Sequence, residues 1–437
     1  MPAEDPERNR GGANDLSGPI RMGPKALSTK AGCRTGLIAC PSKEEEMETH
    51  APTSRPVAVQ ADGVPDAVAE RLHVLLSGLV ARKGIHHAIL AVERGDGSLR
   101  WVGAAGAADA EGRPMRPDTP YWLASVTKLY IAAAVLKLHE RRRIDLDEPI
   151  ATYLPQTLIE GIHRVDGIDR SHEITVRHLV SHTSGLADYL IDAPKGKPSL
   201  WDRLMTEDDQ RVPVEEATRI VRDDLTPHFP PQPADAKRQK AHYSDTNFRL
   251  LIAIIEAVTG QPLSEAFAEL LLQPLDLRRT WVPGDRPIEQ VPTPAAFWTG
   301  DDVLDRPRCL SSLMDLYSTA EDSLEFLRAV MSGRVFDDPA TAGLMQGRWN
   351  TFGFSLSPTP RSPTWPIEYG LGIMRLRMPR LLRPFFRTPT IVGHTGVSGS
   401  WLFYSPERDL FLAGTVDQTA AAPLPFRFVP KVPAAMT

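Results

Sequence analysis

Ser125 and Lys128 stand three residues apart at the head of an apolar run. A serine and an amine at that spacing share one helical face, so the lysine can take the hydroxyl proton and turn the serine into a nucleophile. The first backbone N–H groups of a helix have no internal partners and favour negative charge, which adds a second advantage at the same spot. Ser-x-x-Lys occurs once in the 437 residues. Taken alone it reads equally well as an N-cap serine followed by a surface lysine, so its neighbours decide the matter.

Those neighbours describe a buried helix. Tyr121-Trp122-Leu123-Ala124 forms an apolar approach, and Leu129, Ile131, Val135, Leu136 and Leu138 with three alanines make the run from Ser125 to Leu138 apolar on most faces. Arg141, Arg142 and Arg143 at its end complement the negative pole of the helix dipole, a more economical reading than a nucleic-acid patch.

Two distant fragments complete the chemistry: Tyr243-Ser244-Asp245 leading into a helix, and His394-Thr395-Gly396 at a strand. With Ser125-x-x-Lys128 they resemble the three signature elements of the serine β-lactamase and penicillin-binding superfamily, and more narrowly its class C branch. That branch includes class C β-lactamases, D-alanyl-D-alanine carboxypeptidases, D-aminopeptidases and family VIII esterases. The resemblance covers about residues 65 to 420 and takes in Ile174–Leu186, Tyr243–Phe248, Ser318–Asp322 and Tyr369-Gly370-Leu371-Gly372 in unbroken order.

The resemblance implies an acyl-enzyme on Ser125, with Lys128 and Tyr243 as the joint base and the backbone N–H groups of Ser125 and Val397 as the oxyanion hole. His394 would polarise the tyrosine network or the substrate, while Asp245, Thr395 and Gly396 would line the substrate. A lysine or tyrosine serves as base only if burial or nearby positive charge lowers its pKa. No metal or organic cofactor is implied.

Two departures from the family pattern bear on the substrate. Asp245 stands where an asparagine is usual, and a carboxylate accepts hydrogen bonds but cannot donate one to a substrate amide carbonyl. The arginine that carboxypeptidases place on the strand after Tyr-Gly-Leu-Gly is replaced by Met374, with Arg375 and Arg377 on the opposite strand face. Small carboxylic esters are therefore the expected substrates, a D-stereospecific peptidase or amidase the second reading, and a weak β-lactamase the third. A non-catalytic binding or sensor protein that keeps the cleft is the alternative of another class. No Gly-x-Ser-x-Gly is present to suggest an α/β-hydrolase.

The elements expected around these residues are a helix from Val68 to Val80, a hairpin of Ala88–Val92 and Arg100–Ala104, and helices near Val214–Leu225, Asn247–Val258 and Leu263–Leu272. Strands return after Tyr369 and at Ser400–Tyr404 and Leu410–Val416. That order predicts an α+β fold, an antiparallel sheet flanked by helices in an α/β sandwich of the β-lactamase/transpeptidase-like type, with a mainly helical insertion over about residues 145–315. Residues 1–62 read as a disordered arm and 63–437 as the hydrolase domain.

Composition excludes other classes. With 42% hydrophobic residues and a net charge of −5, nothing favours nucleic acid. No run approaches the roughly 18 apolar residues of a membrane span. Leu37-Ile38-Ala39-Cys40 resembles a lipoprotein box but lacks an apolar region before it, so a cytoplasmic location is expected. Cys33, Cys40 and Cys309 make no disulfide framework. His178 and His182 have i, i+4 spacing but no third ligand, so a metal site is not expected. Lys237, Arg238 and Lys240 sit in a Pro-rich loop before Tyr243, and Met378–Pro389 is a second candidate rim. Prolines 423, 425, 430 and 433 would shorten the closing helix, leaving a sheet face bare and a homo-oligomer contact conceivable there.

Overall fold

In the computed structural model, residues 57–207, 209–354, 362–377 and 389–436 are described. Most of the expected arm, with Cys33 and Cys40, and nearly all of the candidate rim at Met378–Pro389 lie outside them.

The hairpin forms as its Gly95-Asp96-Gly97 turn predicts. β2 (His87–Arg94) and β3 (Arg100–Gly106) pair antiparallel, His87 opposite Gly106. Seven successive residues of β2 are buried, so both faces of the strand are covered, which is why its central run Ala88–Val92 is continuously apolar rather than alternating. β1 (Val57–Asp62) pairs with β3 and corrects the expected arm boundary: the sheet begins at Val57, not after residue 62. Helix α1 (Asp66–Val80) packs on β2 and β3 with Leu72, Leu76 and Leu79 inward, a stripe of helical period.

The run from Ser125 divides. Ala124–Val126 forms a 3₁₀ turn, and α2 (Thr127–Glu140) follows with twelve of its fourteen residues buried. Its alanines allow close approach by other backbone. Gly372, at a φ of 70°, packs so tightly on Ala132 that no Cβ would fit.

Between α2 and the returning strands come α3 (Val176–Val180), α4 (Val214–Asp224), the short strand β4 (Lys240–Ala241) and α5 (Asp245–Thr259). α5 stops at Gly260, whose left-handed φ of 74° terminates it. α6 (Ala320–Met331), capped by Thr319, then lies against the sheet.

The remaining strands of the main sheet are β5 (Asn350–Phe352), β6 (Ile367–Tyr369), β7 (Met374–Leu376), β8 (Ile391–Thr395), β9 (Trp401–Ser405) and β10 (Leu410–Thr415). The ten-stranded order is β1-β3-β2-β10-β9-β8-β7-β6-β5-β4. All neighbours are antiparallel except β4 on β5, so the sheet is mixed rather than purely antiparallel. Tyr369-Gly370-Leu371-Gly372 does not start a strand; it ends β6 and turns into β7.

The closing helix is broken, as its prolines require, but the sheet face is not bare. α7 (Leu424–Phe428) and α8 (Val432–Ala435) each carry proline in the first turn, where its missing N–H costs nothing. Phe428 packs 5.5 Å from the Trp401 ring and Phe426 6.4 Å from Phe403. Among the described residues no single helix is long and apolar enough to cross a membrane.

Candidate active site

Three stretches far apart in sequence meet at the start of α2. Lys128 Nζ lies 3.1 Å from Ser125 Oγ and 2.5 Å from Asp245 Oδ1, and 5.1 Å from the centre of the Tyr243 ring. Ser125, Tyr243, Asp245, Thr395, Gly396 and Val397 all border one cavity of about 370 Å³.

Each side chain is held by local structure. Ser125 follows Ala124, a non-glycine residue at a φ of +48°, a left-handed conformation that costs an L-residue of the order of 1–2 kcal/mol. The β8–β9 turn is tied to the same segment: Ser400 Oγ donates to Leu123 O at 2.7 Å and Ser398 Oγ to Trp122 O at 3.3 Å. A Cβ at Gly396 would fall 2.7 Å from Leu123 O and 2.8 Å from the Ala124 Cβ, so only glycine lets the strand end come this close. Val397 is thereby brought beside Ser125.

Tyr243 and Asp245 sit at the head of α5, which is clamped by residues 182–189. Ser244 and Thr246 hydroxyls both donate to Ala187 O, and Ser184 Oγ donates to Asn247 Oδ1. His182, buried at a φ of 57°, accepts at Nδ1 from the Ser244 N–H and the Asn247 amide. Burial holds its pKa well below the imidazole range, so it stays neutral and acts as an acceptor. His178 is elsewhere, capping α3 through Thr175 and contacting Gln232 O. The helical i, i+4 reading of the two histidines fails because α3 ends at Val180.

The electrostatics favour a charged Lys128. Burial disfavours charge on Lys128, but the Asp245 carboxylate, with Tyr243 and Asp315 behind it, outweighs that cost and holds the amine well above its ordinary range. Lys128 is thus an ammonium at rest rather than a base with a lowered pKa. Burial likewise raises Tyr243, with the Lys128 charge opposing, so the phenol is neutral.

His394 is fully buried and does not border the cavity. Its Nδ1–H donates to Thr395 O at 2.8 Å, which leaves Nε2 to accept from the Tyr369 hydroxyl at 3.1 Å. Burial and the Lys128 charge bring its pKa down to about 3. It therefore reaches Tyr369, the first residue of the Tyr-Gly-Leu-Gly element, and faces Tyr243 only ring to ring at 6.2 Å.

Neither candidate arginine replaces the missing carboxylate-binding one. Arg375 pairs with Glu368 and stacks over Trp349, and Arg377 is exposed. Met374 lines the cavity with Trp365, Ile367, Leu376 and Phe426, and the cationic residue among the described lining is Arg427, not Lys237, Arg238 or Lys240. A second recess of about 50 Å³ shares Ser125, Ile191, Asp245 and Val397 with the first; Trp122, Tyr189, Trp201 and Phe248 line it together with the charged Lys128 and Arg249. Asp315 borders it, its carboxyl pushed up to about 7 by burial. Tyr369, His182 and Asn247 lie inside the family elements read from the sequence but were assigned no role there, and Asp315 belongs to none of them; only proximity in space marks their part in the site.

The model of the family described as Beta-lactamase matches residues 74–425. Esterase EstB of Burkholderia gladioli is 33% identical over 234 residues, 51% of this chain and 53% of the esterase, and putative penicillin-binding protein PbpX of Bacillus subtilis is 25% identical over 56% of this chain and 55% of its own length. The chain thus spans about half the length of these curated relatives. Among solved structures, a D-stereospecific amidohydrolase from Streptomyces sp. is 27% identical with a TM-score of 0.59, covering 84% of this chain and 98% of its own. D-amino acid amidase from Ochrobactrum anthropi SV3, 22% identical, has the same fold with a TM-score of 0.65 over 84% of this chain and 98% of its own. With a family model spanning most of its length and this fold around Ser125, the chain belongs to the beta-lactamase family.

Proposed function

We propose that the protein is a serine hydrolase that forms an acyl-enzyme on Ser125 Oγ and acts on small carboxylic esters. The observation that carries this reading is the Ser125–Lys128–Asp245 contact set bordering two adjoining recesses of unequal size, the larger walled mainly by apolar side chains and the smaller of mixed lining. An acyl group of a few carbons suits the 50 Å³ recess, and a bulkier apolar alcohol suits the 370 Å³ cavity.

In the proposed reaction, substrate excludes water and the Lys128 proton moves along the 2.5 Å contact to Asp245. The neutral amine then accepts the Ser125 proton as Oγ bonds to the carbonyl carbon. The N–H groups of Ser125 and Val397 stabilise the oxyanion. The Tyr243 phenol protonates the departing alkoxide and recovers a proton from Lys128, and water releases the acid by the reverse sequence.

The D-peptidase or amidase reading is supported by what the structural relatives are named for, and disfavoured by Asp245, which offers no donor to an amide carbonyl. A panel of p-nitrophenyl esters, nitrocefin and D-amino acid anilides tests the choice. Turnover is expected to fall from acetate to octanoate esters and to vanish in Ser125→Ala, with fluorophosphonate labelling of wild type alone. Absence of labelling in the folded wild type would instead favour a binding protein.

A further inference from the structure

Asp192, His228 and His242 come from three separate stretches, yet their ligand atoms all lie within 4.8 Å of one another. His228 Nε2 is 2.8 Å from Asp192 Oδ2, and His242 Nε2 is 3.8 Å from the same oxygen. A tetrahedral zinc ion with bonds of about 2.0–2.1 Å spaces its donors by roughly 3.3 Å, between those two distances. The His242 Nε2 atom is buried and has no hydrogen-bond partner among the described residues, which a structural histidine would normally have. The two imidazole rings lie face to face, centroids 3.4 Å apart and planes 27° from parallel, and binding one ion through both Nε2 atoms opens that angle further, because a metal lies near the plane of each ring that holds it.

The supporting shell is also present. Asp192 Oδ2 accepts from the Asp188 N–H at 2.8 Å, which orients the carboxylate. All three side chains keep partial exposure, between 24% and 35%, so an ion can enter and water can complete its coordination. Two imidazoles and one carboxylate are the donors that borderline divalent transition metals prefer over calcium or magnesium.

We propose that Asp192, His228 and His242 form a binding site for a divalent transition metal ion, with Zn²⁺ the best match to this donor set. The ion replaces the proton that His228 Nε2 shares with Asp192, and that proton leaves to solvent. Its place in the fold gives it a role. Asp192 follows Ile191, which lines the substrate cavity, and His242 precedes Tyr243, so the ion clips together the two loops that flank the reacting groups. This site is independent of the hydrolase reading, because it uses none of the residues assigned to catalysis.

The test is isothermal titration of the chelator-stripped full chain with ZnCl₂, alongside Co²⁺ visible absorption as a reporter of coordination geometry. One equivalent of zinc is expected to bind with a Kd below about 10 μM, and His228→Gln and His242→Gln, which keep size and polarity, are each expected to weaken it at least about tenfold. Bound zinc is also expected to raise the wild-type unfolding temperature and leave that of the double variant unchanged. No zinc binding to the folded wild type, or binding unaltered in the folded double variant, overturns the site. Both readouts are blind to ester turnover, so failure here leaves the hydrolase reading standing.

Discussion

The position that sets this site apart is Asp245, which keeps Lys128 charged at rest. Asp245→Asn removes both the charge that outweighs burial and the carboxylate that takes the Lys128 proton, so ester kcat/KM at pH 7 is expected to fall at least about tenfold and to recover as pH rises through the amine's lowered pKa. The restored amide can donate to a carbonyl, so the ratio of amide to ester turnover is expected to increase about tenfold. A pH–rate profile identical to wild type would mean the pair is not part of the working base. Asp315 makes a separate prediction. Its folded pKa, about 7, lies above the ordinary carboxylate value, so its contribution to stability is full at low pH and is lost as pH rises toward and through 7. Asp315→Asn is expected to flatten the pH dependence of urea unfolding between about pH 4 and 7. At pH 8 it is expected to add at most about 4 kcal/mol, less to the extent that water reaches the partly exposed carboxyl. At this scale the sequence was most legible where residue type and spacing together imply a reaction, as for Ser125, Lys128 and Tyr243. For Lys128 it left open both a lowered pKa and an amine held charged by Asp245, because the balance of burial against that carboxylate depends on a contact spanning 117 positions.

Elements carry the site through close backbone approach more than through side-chain contact. The β8–β9 turn touches the serine-bearing segment where Gly396 leaves no space for a methyl group. Gly396→Ala is expected to push Val397 away from Ser125 and lower kcat on p-nitrophenyl acetate about 100-fold while KM changes little. An unaltered kcat would argue against Val397 as an oxyanion donor. Helix and strand positions followed from hydrophobic period, and α1, α4, α5, β3 and β10 fall within two or three residues of expectation at either end. What periodicity could not convey is pairing. The parallel register of β4 on β5 and the turn at Gly370–Gly372 depend on which distant segment arrives alongside, and two-residue strands have no period to read.

For the molecule as a whole, the closing segment shows how a sequence cue can be right locally and wrong globally. Its prolines do break the helix, but each begins a new short turn, and the aromatic residues between them cover the sheet. Phe428→Ala is expected to cost about 3–5 kcal/mol, read as a lower urea midpoint with an unchanged slope, since Phe428 is buried against Trp401. A loss under about 1 kcal/mol would show that the cover is dispensable. The sheet order has a consequence for biosynthesis. β2 finds its second neighbour in β10, whose first residue lies more than three hundred positions further along the chain. At translation rates of about 5–20 residues per second, the nascent hairpin waits roughly 15–60 s with an unpaired edge before the strand that seals it leaves the ribosome.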